Sequence, residues 1–316
     1  MDTNHFPSII VTGINGFVGE HLARHLKLLG NSVHGIGRDD TVNEKAADSV
    51  DTYTKADLLD KTSVEAIDFT RAKAIIHLAG LASVRESFEK PDLYREGNAT
   101  MTDNLLTVSA AQGFKGRIVI ASTGALYDPN QPMPLSEDSK IVGNSPYSEG
   151  KIKAEEVVHR HIANGVQAVI ARPFNHIGPG QETGFLVPDL YEALMDAKEH
   201  GKESIAIGSL TTRRDYTDVR DIVSAYAMLT RPDPLEHVVY NICSGVSVSG
   251  AEILQTLQEA TSTTHIATTV DPSRIRPTDP QELIGDSSRI QNEVGWSPSI
   301  SLFWTIQAFV EQKKAQ

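Results

Sequence analysis

The chain has 316 residues, of which 29 are Lys or Arg and 41 are Asp or Glu, so its formal net charge is −12. A surface of this sign is poorly suited to a phosphate backbone, which argues against a nucleic-acid partner. The sequence contains no apolar run near the ~20 residues that a membrane span needs, and MDTNHFPSII lacks the basic stretch and apolar core of a secretion signal. The single cysteine, Cys243, excludes an internal disulfide. We therefore expect a cytoplasmic protein with no membrane partner.

Short apolar segments alternate with helical patterns along the first half of the chain. The apolar segments are rich in β-branched residues and lack polar alternation, which is typical of strands buried on both faces of a parallel sheet. The predicted strands are 8–13, 32–38, 73–80, 117–122 and 167–172. Helical segments between them, such as 17–30 and 98–113, end in a glycine suited to a left-handed cap. This order predicts an α/β fold with a doubly wound parallel sheet of the Rossmann type.

The rhythm of strands and helices breaks after the fifth predicted strand, where Pro and Gly cluster in RPFNHIGPGQETGF. Later segments mix short helices with loops. We expect a dinucleotide-binding Rossmann domain over 1–172, to which 213–245 contributes. A smaller C-terminal substrate-binding domain would then be built from 173–212 and 246–316.

The first strong motif is VTGINGFVG, at the end of the first predicted strand and the start of the first helix. Gly13, Gly16 and Gly19 follow a G-x-x-G-x-x-G spacing, which lets the backbone approach a pyrophosphate held by amide groups. A glycine triplet by itself is equally compatible with a tight turn and close helix packing. The strand before it and the helix after it favour a nucleotide site.

The end of the second predicted strand distinguishes NAD from NADP. An Asp or Glu there would bind the ribose hydroxyl of NAD and repel a 2′-phosphate. The chain has Gly37 at this place and Arg38 next to it, and a guanidinium forms paired charged hydrogen bonds with a phosphate. Asp39 and Asp40 follow and could themselves reach the ribose, and Arg38 could equally be a solvated loop charge. The sequence favours NADP(H) over NAD.

Tyr147 and Lys151 are four residues apart in SPYSEGK, so on a helix their side chains share a face. A phenol with a pKa of about 10 is a poor acid at neutral pH, and a neighbouring ammonium lowers that pKa. A lone Tyr-x-x-x-Lys is often an exposed helix face, and the pair gains meaning from the nucleotide-binding pattern before it. We therefore expect an acid–base pair in which Lys151 lowers the pKa of Tyr147.

The chain resembles the extended short-chain dehydrogenase/reductase family, of the NAD-dependent epimerase/dehydratase type, over nearly its whole length. The resemblance rests on TGINGFVG, ADLLD, HLAG, Asn98, STGALY, PYSEGK, RPFNHIGPGQ, RRDYTDVRD, YNICSG, RPTDPQELIGD and GWSP. Such enzymes act on nucleotide-diphosphate sugars, and two of these segments look most like the branch that reduces GDP-4-keto-6-deoxy-D-mannose. The resemblance implies an NADP-dependent oxidoreductase of GDP-mannose metabolism and deoxysugar biosynthesis, with the sugar nucleotide held by the second domain.

The resemblance also implies roles for individual residues. The catalytic residues would be Thr123, Tyr147 and Lys151. The cofactor contacts would come from Gly13, Gly16, Phe17, Val18, Gly19, Arg38, Asp57, Leu58, Leu78, Ala79, Gly80, Asn98, Tyr147, Lys151 and His176. The substrate contacts would come from Ser83, Thr123, Asn175, Arg214, Arg276 and Asp279.

Two positions depart from the pattern of similar enzymes. In the 4,6-dehydratases of this family, a segment similar to STGALY carries an acid that removes the C5 proton, but the aligned residue here is Ala125, which has no proton to exchange. Dehydration is therefore set aside, and Thr123, Tyr147 and Lys151 suffice for hydride transfer to or from a carbonyl. Many relatives have Ser where this chain has Gly150, which we expect to cost the helix roughly 1 kcal/mol.

Three functions are compatible with these residues. The first is NADPH-dependent reduction of a nucleotide-diphosphate 4-keto-6-deoxyhexose, GDP-4-keto-6-deoxy-D-mannose to GDP-D-rhamnose or its C4 epimer GDP-6-deoxy-D-talose. The second is a nucleotide-sugar 4-epimerase that retains NAD. The third is a non-catalytic NADP-binding sensor, against which the intact catalytic residues argue. The resemblance also suggests a homodimer formed through helices near 98–112 and 147–164.

His21 and His25 are spaced four residues apart on the first helix. Such a pair could in principle bind a metal ion, but the sequence shows no third ligand and no H-E-x-x-H motif. We expect an exposed helix face and no metal site.

Overall fold

The computed structural model describes residues 8–274 and 280–315. The strands, in chain order, are β1 (Ser8–Thr12), β2 (Ser32–Gly37), β3 (Thr52–Lys55), β4 (Ala72–His77), β5 (Arg117–Ala121), β6 (Ala168–Pro173), β7 (Asn175–Ile177), β8 (Ser204–Ile207), β9 (Arg213–Asp218), β10 (Val239–Ile242), β11 (Ser247–Ser249), β12 (Ala267–Val270) and β13 (Glu282–Leu283). The helices are α1 (Phe17–Leu28), α2 (Glu44–Ala47), α3 (Lys61–Glu65), α4 (Val84–Glu89), α5 (Pro91–Ala111), α6 (Pro146–Ala163), α7 (Leu186–Glu199), α8 (Val219–Leu229), α9 (Gly250–Thr261), α10 (Ser288–Val294) and α11 (Leu302–Ala315). Short 3-10 helices lie at Gly124–Leu126 and Pro272–Arg274.

Within these residues, a seven-stranded parallel sheet has the strand order β10-β6-β5-β4-β1-β2-β3. The direction of winding reverses between β1 and β4. In doubly wound folds the ligand crevice lies at this reversal, outside the carboxyl ends of the strands. The predicted Rossmann fold is confirmed.

The sheet is covered on both faces, which explains why its central strands lack polar alternation. β1, β4 and β6 are buried over most of their length, as expected when helices flank both sides. α1 and α8 pack on one face and α3, α5 and α6 on the other. Gly30 and Gly113, which follow α1 and α5, have φ angles of +76° and +82°, so the predicted left-handed ends are confirmed.

A second sheet surrounds β9, which pairs with β7, β11 and β13. β8 and β12 form a separate parallel pair. α7, α9 and α11 pack together in a third core that contains Leu194, Leu257 and Phe309. The second half of the chain therefore builds a core of its own beside the large sheet.

Two segments pack differently from the predicted domain division. The segment 213–245 is predicted to join the Rossmann domain, but β9 within it belongs to the second sheet, and α8 and β10 are the parts that pack with the large sheet. Conversely, Ile290 and Trp296 pack into the core on the large sheet. The indole N–H of Trp296 donates to the carbonyl oxygen of Asp221 at 3.0 Å. The remaining limits of the two domains stay a prediction.

No helix in the described parts of the chain is both long and apolar enough to cross a membrane. The homodimer through α5 and α6 and the cytoplasmic location stay predictions.

Candidate active site

The glycine-rich turn lies at the carboxyl end of β1. Gly13 has a φ of +71°, and a Cβ on it would lie 2.8 Å from the amide nitrogen of Ala79. A Cβ on Gly19 would collide with the carbonyl oxygen of Gly13. Gly16 precedes the first turn of α1, so the unpaired amide groups of that turn begin at Phe17. Turn and helix therefore form a cradle without side chains, which fits the diphosphate of a dinucleotide.

The loop after β4 lies beside this turn. The amides of Leu78 and Ala79 donate to the carbonyl oxygen and Oγ1 of Thr12, at 3.2 and 3.1 Å. Asn98 on α5 holds the same loop, because its Oδ1 accepts from the amide of Leu81 at 2.8 Å and its Nδ2 donates to the Leu81 carbonyl at 3.2 Å. The side chain of Asn98 therefore shapes the loop on which the predicted cofactor contacts lie.

A buried histidine joins the glycine turn to α5. Thr12 Oγ1 accepts from the amide of Ala79 at 3.1 Å and lies 2.8 Å from His77 Nδ1. Thr102 Oγ1 donates to a carbonyl of its own helix, so it accepts from His77 Nε2–H at 3.4 Å. Burial, together with the charge of Lys151, lowers the pKa of His77 to about 3. His77 is therefore a neutral link, and the sequence gives it no role beyond its place in HLAG.

The three predicted catalytic residues meet at the end of β5. Tyr147 and Lys151 are one helical turn apart on α6, and the Tyr147 hydroxyl lies close enough to the Thr123 hydroxyl for Thr123 to lower its pKa. Lys151 Nζ donates to the carbonyl oxygen of Ala121 at 2.8 Å. Thr123 Oγ1 also accepts from the amide of Ala125 at 3.1 Å, and Ala125 itself is exposed. The structure thus places one hydroxyl pair and one amine here, with no carboxylate at position 125.

Burial raises the pKa of Tyr147 above its ordinary value of about 10, and the hydrogen bond with Thr123 opposes the rise. Burial outweighs any lowering of this pKa by Lys151, whose amine donates to the Ala121 carbonyl. Burial lowers the pKa of Lys151 to about 8, against the raising effect of Glu155. Tyr147 therefore keeps its proton at neutral pH, as a proton donor must.

The two hydroxyls that follow β5 have different partners. Ser122 is 7% exposed, and its Oγ donates to Glu155 Oε1 at 2.5 Å. Glu155 is also paired with Arg172, whose Nη2 lies 2.6 Å from Oε2. Thr123 is thus the hydroxyl left to contact Tyr147. No short motif in the sequence predicts the pairing of Glu155 with Arg172, because it joins a helix to a strand that follows it.

The charged side chains that follow β2 are partly engaged. Asn15, inside the glycine turn, donates through Nδ2 to Asp39 Oδ2 at 2.6 Å. Lys55 Nζ lies 2.5 Å from Asp40 Oδ1. Arg38 is exposed, and it makes no hydrogen bond or ion pair with the residues that the structure describes. A cation is therefore available where the 2′-phosphate of NADP would lie.

α1 also contacts the segment that follows β6. The His176 ring is stacked on Phe17 with centroids 6.2 Å apart, and its Nδ1–H donates to the Phe174 carbonyl at 3.1 Å. Burial lowers the pKa of His176. His21 Nε2 donates to the Pro179 carbonyl at 2.8 Å, so the expectation of a solvated helix face is wrong for His21. Across 8–274 and 280–315, no three His, Cys, Asp or Glu side chains form a group able to hold a metal ion.

Two of the predicted cofactor contacts, Asp57 and Leu58, differ in how far their side chains are exposed. Asp57 is exposed, and its Oδ1 accepts from the amide of Leu59 at 3.0 Å. The Leu58 side chain is 3% exposed and lies in the core under α5, and its carbonyl accepts from Asn104 Nδ2 at 2.9 Å. Leu58 can therefore contact a ligand only through its main chain.

The predicted substrate residues are only partly assembled. Ser83 caps α4, since its Oγ accepts from a main-chain amide of the first turn at 3.1 Å. Asn175 is exposed at the start of β7, and Arg214 is 9% exposed on β9, where its Nη1 donates to a neighbouring carbonyl at 2.7 Å. Arg276 and Asp279 lie outside the described residues.

The model of the GDP-mannose 4,6 dehydratase family matches residues 10–309. The chain belongs to this family. The GDP-6-deoxy-D-mannose reductase of Pseudomonas aeruginosa is 29% identical over 310 residues, which cover 96% of this chain and 95% of that protein. A family named for a dehydratase therefore also contains sequences similar to a reductase.

Two solved structures resemble this member of the GDP-mannose 4,6 dehydratase family. The RMD protein of Pseudomonas aeruginosa, complexed with NADPH, has a TM-score of 0.82 and 27% identity, covering 98% of this chain and 99% of that one. The UDP-glucose 4-epimerase of Thermotoga maritima, with UDP-glucose, has a TM-score of 0.87 and 25% identity over 98% and 99% of the two chains. The prediction of an NAD(P)-dependent nucleotide-sugar enzyme of the epimerase/dehydratase type is confirmed.

Proposed function

We propose that the protein is an NADPH-dependent reductase of a nucleotide-diphosphate 4-keto-6-deoxyhexose. The substrate would be GDP-4-keto-6-deoxy-D-mannose, and the product GDP-D-rhamnose or its C4 epimer GDP-6-deoxy-D-talose. The observation that carries the proposal is the exposed Arg38, because the carboxylates of Asp39 and Asp40 beside it are held by other side chains. Preference for NADP(H) favours net reduction over an epimerase that retains NAD. The similarity to the Pseudomonas aeruginosa reductase supports the same conclusion.

The arrangement of the catalytic residues suits reduction of a ketone. NADPH, when bound, supplies the hydride. Tyr147, which burial keeps protonated, donates a proton to the ketone oxygen, and the Thr123 hydroxyl hydrogen-bonds the same oxygen. Lys151 holds the nicotinamide ribose. Ala125 supplies no acid or base, so this position lacks the group that removes the C5 proton in the 4,6-dehydratases.

The cofactor and the substrate would bind on opposite sides of Thr123, Tyr147 and Lys151. The glycine turn at Gly13 and the first turn of α1 hold the diphosphate of NADPH, and Arg38 holds its 2′-phosphate. Asn175 and Arg214 hold the sugar nucleotide, together with residues outside the described part of the chain.

Supplying GDP-4-keto-6-deoxymannose with NADPH tests the function directly. We expect oxidation of one NADPH for each ketone reduced, followed at 340 nm, and NMR of the product gives the configuration at C4. The matched reaction without the sugar nucleotide measures background oxidation. Conversion of the sugar without consumption of NADPH would contradict the proposal.

A nucleotide-sugar 4-epimerase is the second candidate, favoured by the TM-score of 0.87 with the Thermotoga maritima UDP-glucose 4-epimerase. Such an enzyme would use the same Tyr147 and Lys151 with no net redox change. Denaturing the purified protein and measuring the released cofactor separates the two candidates. Stoichiometric NAD in the protein, with interconversion of UDP-glucose and UDP-galactose, would favour the epimerase.

Replacing Arg38 with Ala should weaken NADPH binding about tenfold or more, since a charged hydrogen bond is worth about 1.5–3 kcal/mol. NADH lacks the 2′-phosphate, so its Kd should stay within about twofold of the wild type. Fluorescence titration with both cofactors measures the two constants. Arg71→Ala is the matched control, because Arg71 is exposed just before β4, at the amino end of the parallel strands and away from the glycine turn at their carboxyl ends. Equal weakening of both cofactors would contradict a 2′-phosphate contact.

A further inference from the structure

A buried carboxylate lies one helical turn beyond Lys151 on α6. Glu155 is on α6, four residues after Lys151 and eight after Tyr147, so the three side chains follow one face of the helix. The residue is 4% exposed. Its Oε1 accepts from Ser122 Oγ at 2.5 Å and from Arg172 Nε at 3.0 Å, and its Oε2 accepts from Arg172 Nη2 at 2.6 Å. Both oxygens of the carboxylate are therefore held by named donors.

Arg172 is itself fixed by contacts on its other side. Its Nη1 donates to Tyr127 Oη at 2.8 Å, and its guanidinium lies 5.0 Å from the centre of the Tyr127 ring. The Tyr127 hydroxyl donates in turn to Asn241 Oδ1 at 2.7 Å. A buried ion pair is weak evidence for a gain in stability, because desolvation opposes the attraction between the charges. The pair instead places a negative charge at a fixed position between α6, β5 and β6.

Lys151 and this carboxylate line the same cavity. Lys151, Glu155, Ser122 and Asn98 line one small cavity, together with the neutral His77 of β4. The other charged or titratable groups around the amine are the protonated Tyr147 on α6, and Arg172 on β6, whose charge is paired with Glu155. From α5 the cavity receives uncharged side chains. Among the described residues, Glu155 is the negative group whose charge acts on Lys151.

We propose that Glu155 is a positioning residue for the catalytic group. Its hydrogen bond fixes Ser122, and the main chain then fixes the neighbouring Thr123. Its negative charge keeps Lys151 an ammonium. The inference rests on the proposed function only in that Lys151 holds the cofactor ribose. An ammonium has three N–H donors, of which one goes to the Ala121 carbonyl, so two remain for the ribose hydroxyls. A neutral amine would keep one donor for that task.

The sign of the pH effect follows from the burial of Lys151. Desolvation brings its pKa down to about 8, and Glu155 opposes that fall. The ammonium is therefore present below about pH 8 and is lost as the pH rises through that value. Removal of the negative charge at position 155 lets the pKa fall further, so the ammonium is lost at a lower pH.

Glu155→Gln tests the counter-charge, since the amide keeps the shape of the side chain and one acceptor oxygen. The Kd for NADPH is measured by fluorescence from pH 6 to 9, without any sugar nucleotide. In the wild type we expect NADPH binding to weaken as the pH rises through about 8. This falling part of the plot of binding against pH is called the limb, and in the variant it should move to lower pH by about one unit. At pH 8 the Kd of the variant should rise severalfold, while at pH 6 it should stay within about twofold of the wild type.

Ser122→Ala is the matched control, because it removes a hydrogen bond from Glu155 and keeps the charge. Its pH limb for NADPH binding should coincide with that of the wild type, while kcat falls severalfold at an unchanged KM for NADPH. Glu155→Asp keeps the charge, and its limb should also stay in place. A Gln variant with the wild-type limb, or with the same loss at every pH, would overturn the counter-charge role.

A second variant keeps the test decisive if Glu155→Gln alone does not fold. The double variant Glu155→Gln/Arg172→Gln leaves no buried guanidinium without its carboxylate, and its limb should again lie at lower pH than that of the wild type. An unmoved limb would overturn the proposal. Because cofactor binding is measured without substrate, an unmoved limb would overturn the role of Glu155 and leave the proposed reduction of the 4-keto sugar untouched.

Discussion

Replacing Tyr147 with Phe should lower kcat by roughly 10²- to 10⁴-fold, the usual contribution of a positioned general acid. The phenyl ring keeps the volume of the buried side chain, and Lys151 stays in place, so the Kd for NADPH should remain within about threefold of the wild type. The reason lies in the burial that keeps the Tyr147 hydroxyl protonated beside Thr123. Steady-state kinetics with the 4-keto sugar and fluorescence titration with NADPH measure the two quantities separately.

Tyr226→Phe is the matched control for this loss. Tyr226 is also a buried tyrosine, on α8, and its pKa is raised by burial and by the nearby Tyr147. The substitution removes the same hydroxyl without touching the Thr123–Tyr147 pair, so kcat should stay within about twofold of the wild type. Turnover of Tyr147→Phe within threefold of the wild type would remove Tyr147 from the mechanism.

Gly150→Ala should destabilise the protein by about 2 kcal/mol, although Gly to Ala in a helix interior ordinarily stabilises by up to ~1 kcal/mol. A Cβ at this position would collide with the carbonyl oxygen of Tyr94 on α5. The expected cost of Gly150 to its helix stays a prediction, and the structure adds that this position has no room for a side chain. The glycine allows α5 and α6 to approach closely, and Arg160 and Asp103 then pair across the two helices at 2.7 Å.

Gly97→Ala is the matched control for this substitution. It lies inside α5, and the nearest atom to its added Cβ would be Leu81 Cδ1 at 2.9 Å, the end of a flexible side chain. The control should therefore be near neutral. Equilibrium urea unfolding of both variants gives the two free energies of unfolding. A Gly150→Ala protein as stable as the wild type would show that α5 and α6 can separate without loss.

The displacement expected in Gly150→Ala has a second consequence. α5 carries Asn98, which shapes the loop after β4, and α6 carries Tyr147 and Lys151. Backbones forced apart would move these groups relative to each other, and small misplacements cost catalysis heavily. We therefore expect lower kcat in the folded fraction as well.

The large sheet could be predicted because its signal is local. A strand buried on both faces needs apolar, β-branched residues at successive positions, and β1, β4, β5 and β6 have them. β3 was missed for the same reason, since this strand at the edge of the sheet has no buried residue and no apolar run. The role of β9 was also missed, because the partner strands of the second sheet lie far away in the chain.

The chemical groups of the site could be predicted from short sequence motifs. The spacing of Gly13, Gly16 and Gly19 follows from the turn that connects a strand to a helix, and Tyr147 and Lys151 are one helical turn apart. These relations involve at most a few consecutive residues. The identity of the residue at position 125 likewise required no structure.

The electrostatic state of those groups depended on contacts between distant segments. Burial raises the pKa of Tyr147, Asn15 holds Asp39 across 24 positions, and Glu155 meets Ser122 across 33. Desolvation and charge pairing depend on which side chains surround an atom, and a short motif does not show which distant residues those are. Residue types and their spacing thus indicate a dinucleotide site with a Tyr–Lys pair, and the family resemblance adds the nucleotide-sugar substrate class. The packing of α5, α6 and β5 decides which of these groups hold protons and charge.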